Sequence, residues 1–400
     1  PYNKVIDNNV EVGLKQQTSL GLSGSLSYIW DDQTYKGVNF TGTPSDTSGT
    51  IGSPTLKLTL PLWRNFWGGE TNSQVDQLKY KDSAQKFNAS FNMKSILSDA
   101  ESTYWALALA RESVKVAKDA VARGTELYKW NAYRENSGLA DKADLLQADA
   151  ALQTQKLALK NAQDDEVTAA RKFNASRSID SSEVREILTS LNSASLDRLH
   201  VPKRAEMRDD VRAALDQTKA EQAQNEQTRQ TYKPSLDLVG TYALNSPSPI
   251  INKSTAFQDS FNDNRPTQII GIKFSTPLDL GTIHDAQAGH AAAVHAAQRA
   301  YDRKVFEQEN GWHDLTDKFQ QAKDRLTIYD SLEKVQKAKL DHERLRRQKG
   351  RTTTYQVIQF ETEYEQTQLQ RIQTMSNILQ LFAQMKLYGQ PTETAERQMR

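Results

Sequence analysis

The sequence predicts an α+β protein in which amphipathic β segments alternate with very long helices. Three observations carry this. Residues 1–69 and 233–281 are rich in Gly, Ser, Thr and aromatics, whereas 70–232 and 282–389 are rich in Ala, Gln, Lys, Glu and Asp. Between Glu70 and Lys233 the only glycines are Gly124 and Gly138, and the only proline is Pro202; so few breakers over so long a stretch mark continuous helix. Apolar residues alternate with period two in the first texture and recur in steps of three and four in the second.

Composition narrows the function classes. With 51 basic and 50 acidic residues the net charge is +1, which supplies no general drive toward nucleic acid or acidic lipid. The 14 Tyr, 12 Phe and 6 Trp are too many aromatics for a disordered chain. Cysteine is absent, which excludes disulfides, thiolate metal sites and a cysteine nucleophile. No run approaches 18 apolar residues, so no transmembrane helix is expected, but a spanning β-barrel has a weaker hydropathy signal and stays open. The chain opens at Pro1-Tyr2-Asn3 without a signal peptide and reads as a mature or trimmed product.

The β segments come first. Leu20, Leu22, Leu26, Tyr28 and Trp30 share one face, with serines on the other. Leu56, Leu58 and Leu60 alternate with Thr55, Lys57 and Thr59. Leu236, Leu238, Tyr242 and Leu244 form a third strand, and Ile270, Ile272 and Phe274 a fourth. Each is about 8–11 residues, near the length at which a tilted strand crosses a bilayer. Val10, Val12 and Leu14 also alternate, so 10–30 reads either as a barrel strand or as an extra hairpin turning near Lys15–Ser19. The segments 31–52 and 245–267 read as exposed loops.

An internal duplication is expected. Ser19–Gly24 aligns with Ser235–Gly240, Lys57 with Lys273 and Pro61-Leu62 with Pro277-Leu278, all at an offset of 216. Ser137-Gly138-Leu139 aligns with Lys349-Gly350-Arg351 at 212. Two helices of equal length are expected, Glu70–Ser137 and Thr282–Lys349, each about 100 Å long. Heptad seams follow them: Leu145, Ala148, Leu152, Gln155, Leu159, Ala162, Glu166 and Ala169; then Tyr355, Ile358, Thr362, Glu365, Leu369, Ile372, Ser376, Leu379 and Ala383. Gly138 and Gly350 suit left-handed turns between antiparallel helices. The chain therefore divides into a β segment at 1–69, a helical hairpin at 70–203, a helix at 204–233, a second β segment at 234–281 and a second hairpin at 282–400.

Several stretches, in this order and spacing, carry a resemblance. They are Leu60-Pro61-Leu62-Trp63-Arg64-Asn65-Phe66-Trp67-Gly68-Gly69 and its counterpart Thr276-Pro277-Leu278-Asp279-Leu280-Gly281. Arg204-Ala205-Glu206-Met207 opens a helix that runs into Tyr232-Lys233-Pro234-Ser235-Leu236, and Asn136-Ser137-Gly138 precedes Asp144-Leu145-Leu146-Gln147-Ala148. Over most of 10–390 the chain resembles the TolC family of outer-membrane efflux channels. The resemblance implies a TolC-like β-barrel continued by an α-helical coiled-coil barrel, with two β-β-α-α repeats per protomer. Three protomers would close twelve strands and twelve helices. Independently, four strands are too few to close a membrane barrel, so a spanning chain must oligomerise. The family's helix before the first strand, matching 204–232, is not found ahead of Leu20.

The implied function is a passive outer-membrane channel: the exit duct of a tripartite efflux or type I secretion system. It would be a homotrimer among outer-membrane lipid, with its helices in the periplasm of a Gram-negative cell. It would dock a periplasmic adaptor (membrane fusion) protein and an inner-membrane pump or exporter. The alternatives are a structural, periplasm-spanning component of another envelope assembly and a soluble coiled-coil scaffold. The resemblance also implies site residues. Gly138, Leu139 and Gly350 would form the adaptor-docking tip. Asp144 matches a gate-linking aspartate, with Arg347 or Arg351 as its partner. Gln356 and Gln359 stand where relatives ring the pore with aspartates. Trp63, Phe66 and Trp67 fit one membrane interface and Trp30 the other; the competing reading is a buried corner anchor.

No enzymatic chemistry is legible. G-x-S-x-G, P-loop, H-E-x-x-H and EF-hand spacings are all missing, so neither catalysis nor a cofactor is expected. His284, His290 and His295 are spaced by six and five, which does not stack ligands on one helix face. Arg344, Arg346, Arg347, Lys349 and Arg351 lack interleaved aromatics and spread around the helix, so they read as a solvated face rather than a nucleic-acid patch.

Overall fold

A computed structural model describes residues 4–38, 45–196, 199–248, 251–261 and 265–389. The elements in chain order are β1 (Lys4–Gln17), β2 (Ser23–Val38), β3 (Ser45–Pro61), α1 (Gly69–Asn136), α2 (Lys142–Ser176), α3 (Ser193–Leu196) and α4 (Asp209–Thr231). They continue with β4 (Ser235–Leu244), β5 (Ser246–Ser248), α5 (Lys253–Asp259), β6 (Pro266–Ser275), α6 (Leu280–Gln348) and α7 (Thr354–Met385). The chain forms two compact units, one from 1–85 and 213–302, the other from 86–212 and 303–400. Their limits fall inside the long helices, not at the β–α junctions where composition changes.

In the first unit one antiparallel sheet has the order β1-β2-β3-β4-β6, with the short β5 beside β3. The register places apolar side chains of successive strands in rows. One runs Leu14, Leu26, Leu56, Tyr242; another runs Leu60, Leu238, Ile272. Because side chains alternate between faces, these rows make one continuous apolar face. The opposite face carries Lys15, Ser25, Lys57, Thr241 and Asp237. On the apolar face Leu14 is 81% exposed, Ile270 85% and Ile272 70%, so among the described residues nothing covers the band they occupy.

The sheet corrects the expected strand plan. Residues 10–30 form a hairpin, not a single barrel strand. It turns at 18–22 instead of 15–19, because Gly21 at φ +85° lets the Gly21 amide donate to the Thr18 carbonyl. Leu20 and Leu22 therefore lie in the turn, and of Ser19–Gly24 only Ser23 and Gly24 are in strand, whereas all of Ser235–Gly240 is. The expected loop 31–52 is mostly strand: Asp31–Thr34 pair with Ser48–Ile51. Polar side chains do not prevent a hairpin from extending when its backbone bonds are made and Thr50 Oγ1 donates to Asp32 at 2.6 Å.

In the second unit the core lies among helices. Val116 of α1, Phe319, Ala322 and Leu326 of α6, and Ile372, Met375, Ile378 and Leu381 of α7 form its main cluster, closed by Leu196 of α3. A second cluster joins Leu107, Ala170 and Phe173. The chain between α2 and α4 is mostly irregular, not part of a continuous hairpin. It is tied down by Arg111, which donates to the Val184 and Glu186 carbonyls at 2.6 and 2.9 Å, and by Asn174, which donates to those of Ser181 and Glu183. The helix expected to open at Arg204 starts at Asp209; Arg204 instead bridges to Gly389 and pairs with Glu309.

Candidate functional site

The two helix turns are built alike. Gly138 and Gly350 adopt φ +70° and +69°, the left-handed conformation expected of them. The Leu139 amide donates to the Arg134 carbonyl at 2.8 Å, and the Arg351 amide to that of Arg346 at 2.9 Å, the six-to-one bond of a helix C-terminus. The same arginines then clamp the turns: Arg134 Nη2 donates to the Leu139 carbonyl and Arg346 Nη2 to that of Arg351. Asp141 and Thr353 cap the following helices through their side chains. Each of these pairs is separated by 212 residues, the offset already visible at the glycines. Sequence reading missed the two arginines, although that offset points to them.

Leu139 is 64% exposed, and nothing lies within 4 Å of a Cβ built on Gly138 or Gly350. The turns are bare surfaces held in a fixed shape. Beneath the second turn is a polar seam. Glu361, 2% exposed, accepts from Arg123 at 3.2 Å and from Arg344 at 2.8 Å. Glu343, also buried, pairs with Arg346 and accepts from Thr352. Thr354 Oγ1 donates to the buried Asn131 side chain at 3.0 Å. This seam revises the heptad expected after Gly350. The packed positions are Thr354, Val357, Glu361 and Tyr364, one residue before Tyr355, Ile358, Thr362 and Glu365. The apolar pattern gave the wrong frame because the seam buries charges satisfied by partners on other helices.

The five residues expected at the gate fall near the turns. Arg347 stands over the Trp130 ring at 5.8 Å. Burial, and then the nearby Arg344, lowers its pKa from the ordinary arginine value. Its Nε is buried without a hydrogen-bond partner among the described residues. Asp144 is half-buried on the first turn of α2, and the single chain holds no ion pair between it and Arg347 or Arg351. Gln356 is exposed and accepts from Thr352 Oγ1 at 2.8 Å; Gln359, also exposed, donates to Glu363 at 3.2 Å.

At the other end of α1, Trp63, Phe66 and Trp67 are 51%, 54% and 66% exposed, which does not fit a buried corner anchor. Trp30 lies on the apolar face of β2 opposite Gly52, half-covered by Phe257. From that row to the Leu60 row is about eight residues, about 26 Å along the strand. The apolar wall of a membrane barrel is about 25 Å tall and is edged by aromatics.

No protein-family model matches the chain, and no curated protein matches it by sequence. Solved structures do. CusC superposes with a TM-score of 0.72 at 14% identity, over 96% of this chain and 83% of its own. The outer membrane protein VceC of Vibrio cholerae gives 0.70 at 16%, over 96% and 87%. The open MtrE outer membrane channel of Neisseria gonorrhoeae gives 0.68 at 14%, over 96% and 81%. Identity this low speaks for architecture alone, but the match covers nearly all of this chain and more than four-fifths of each of the others: the fold is that of the TolC family of outer-membrane channels.

Proposed function

We propose that the chain is a subunit of an outer-membrane exit duct that works passively with a periplasmic adaptor and an inner-membrane pump or exporter. The observation that carries this is an apolar sheet face left bare in a chain that shares nearly its whole length with outer-membrane channels by fold. Among the described residues both outer strands, β1 and β6, also present unpaired backbone edges. Lipid does not satisfy such groups, so further copies of the chain close the wall, three on this reading. The exposed, clamped turns at Gly138 and Gly350 are the adaptor-docking surfaces. The gate is a contact between neighbouring chains: Arg347, half-buried with an unpartnered Nε and in no ion pair among the described residues, takes Asp144 of the adjacent helix pair.

Ion conductance in planar bilayers tests the duct, and a chain that stays silent after insertion rejects it. Copurification from cells under cross-linking tests the partners, with Leu139 and Arg351 as the anchor points. Asp144→Ala is expected to raise conductance. Gln356→Asp is expected to create block by multivalent cations. Unchanged conductance in Asp144→Ala alongside a rise in Arg347→Ala would show that the pairing is wrong.

A further inference from the structure

We propose that α5 and Phe261, two residues beyond its C-terminal end, form a lipid-interface element on the outward wall of the sheet, seated at the headgroup level of the membrane's outer leaflet. This rests on the membrane reading above and adds a surface which that reading leaves unassigned.

The face is fixed by Gly52. Its partner in the register is Trp30, and paired residues project to the same side. A Cβ on Gly52 would meet Tyr28 Oη at 2.3 Å and the Ala256 carbonyl oxygen at 2.7 Å. The helix therefore lies on the side of Tyr28 and Trp30, the side that also carries Leu26, Leu56 and Leu58. Only a glycine allows so close an approach. Ala256 is fully buried by it, and Tyr28 Oη donates to the Ala256 carbonyl at 3.3 Å.

Four rings gather there. Tyr28 and Trp30 lie 4.4 Å apart between centroids, Tyr28 and Phe257 5.1 Å, and Phe257 and Phe261 5.4 Å. This is not a sealed core, since Phe257 is 44% and Phe261 58% exposed. Polarity changes sharply on either side of the cluster. Toward the helices the same face is Leu26, Leu56, Leu58 and Leu60. One step the other way it is Asp32 and Thr50, hydrogen-bonded at 2.6 Å, with Lys253 Nζ 3.4 Å from Asp32. Exposed rings between an apolar band and an ion pair are what the boundary between acyl chains and headgroups selects. A helix laid on the surface of a soluble sheet would turn Phe257 and Phe261 inward. The loop between β4 and β6 is thus pinned to the outer wall.

The chain has no cysteine, so a single introduced one takes a spin label uniquely. Labels at Phe261→Cys, Leu58→Cys and Gln258→Cys, in vesicles of phosphatidylcholine and phosphatidylglycerol, are compared by collision with oxygen and with a water-soluble nickel complex. Leu58→Cys is expected to meet oxygen preferentially and Gln258→Cys nickel. Phe261→Cys is expected between them, with an oxygen-to-nickel ratio several-fold above that of Gln258→Cys. Equal ratios at Phe261→Cys and Gln258→Cys, with Leu58→Cys in lipid, overturn the inference alone. Water exposure at Leu58→Cys overturns the membrane reading itself.

Discussion

Asn65, Trp67 and Gly68 have φ of 60°, 50° and 75°, and a left-handed tryptophan is a costly conformation. Local bonds hold it: the Gly68 amide donates to the Asn65 carbonyl, and the Asn65 side chain accepts the Thr71 amide at 3.0 Å. Gly68 is also where the β1–β2 turn rests, and a Cβ there would stand 1.8 Å from the Ser19 carbonyl oxygen. Gly68→Ala is therefore expected to cost at least about 2 kcal/mol, combining left-handed strain with a backbone clash. Gly138→Ala meets open space and should cost about 1 kcal/mol. Thermal unfolding in detergent ranks the two, and equal losses would contradict the role of the docked turn. Glu361 offers a second test. Removing it leaves Arg123 and Arg344 facing each other in a site from which water is largely excluded, so Glu361→Ala should cost about 3–5 kcal/mol. A loss below about 1 kcal/mol would mean that water already screens the pair.

Helices α2 and α7 differ in how much of their packing the sequence reveals. Along α2, Ala148 and Leu152 are buried, and Leu145, Gln155, Leu159, Ala162, Glu166 and Ala169 are all at least half-covered, so the expected seam and the packed one coincide. Along α7 the frame is off by one only from Thr354 to Tyr364, where Thr354 and Glu361 are buried with partners that no periodicity reveals; farther along, Ile372, Ser376 and Ala383 of the expected seam are buried. The hairpin β1–β2 was legible as one of two readings, while the extension of β2 through Asp31–Val38 was not, since its side chains are polar on both faces. The helix turns were legible from their glycines, and the clamping arginines only from the offset. Glu365, a position of the expected frame, is half-buried beside the packed Tyr364. Burial raises its pKa, opposed by Arg123 and assisted by Glu361. The folded chain thus holds this proton to higher pH than the unfolded chain, whose carboxyl titrates near about 4.3. Ionised Glu365 weakens the fold at neutral pH, and acidification through the raised value relieves that. Glu363, lowered by its bond to Lys339, works in the opposite sense but is common to both proteins compared. Glu365→Gln is expected to raise the unfolding temperature at pH 7 and to lose that advantage as the pH falls toward about 4.3, the value of the unfolded carboxyl. A difference that does not change with pH would place Glu365 in water.

The edges of the sheet decide how copies of the chain join. Leu14, Leu26, Leu56, Tyr242 and Gln268 form one row across it, and Gln16, Gly24, Leu58, Gly240 and Ile270 the next. Residue numbers rise together in β1 and β6, so the two edge strands run in the same direction. Four strands per chain would close a trimer with antiparallel neighbours throughout, twelve in all. With β1 in the wall there are five, and three chains give fifteen with a parallel seam at each junction. Restoring twelve requires β1 to leave, which exchanges its ladder with β2 along the whole of Lys4–Gln17 for one between β2 and β6 of a neighbour and leaves β1 with no ladder of its own. Parallel pairing is only slightly weaker per residue than antiparallel pairing, so keeping β1 is the smaller cost. Apolar matching agrees, because Val10, Val12 and Leu14 project to the same face as Ile270, Ile272 and Phe274. On the three-copy reading proposed above, disulfides between chains are expected when one cysteine replaces a residue of the first set and another a residue of the second. The favoured pairs should advance in the same sense along both strands. Disulfides between Leu26→Cys on β2 and Ile272→Cys on β6 of a neighbour would instead put β1 outside the wall. A monomeric mass in detergent with the β signal intact would reject the closed assembly altogether.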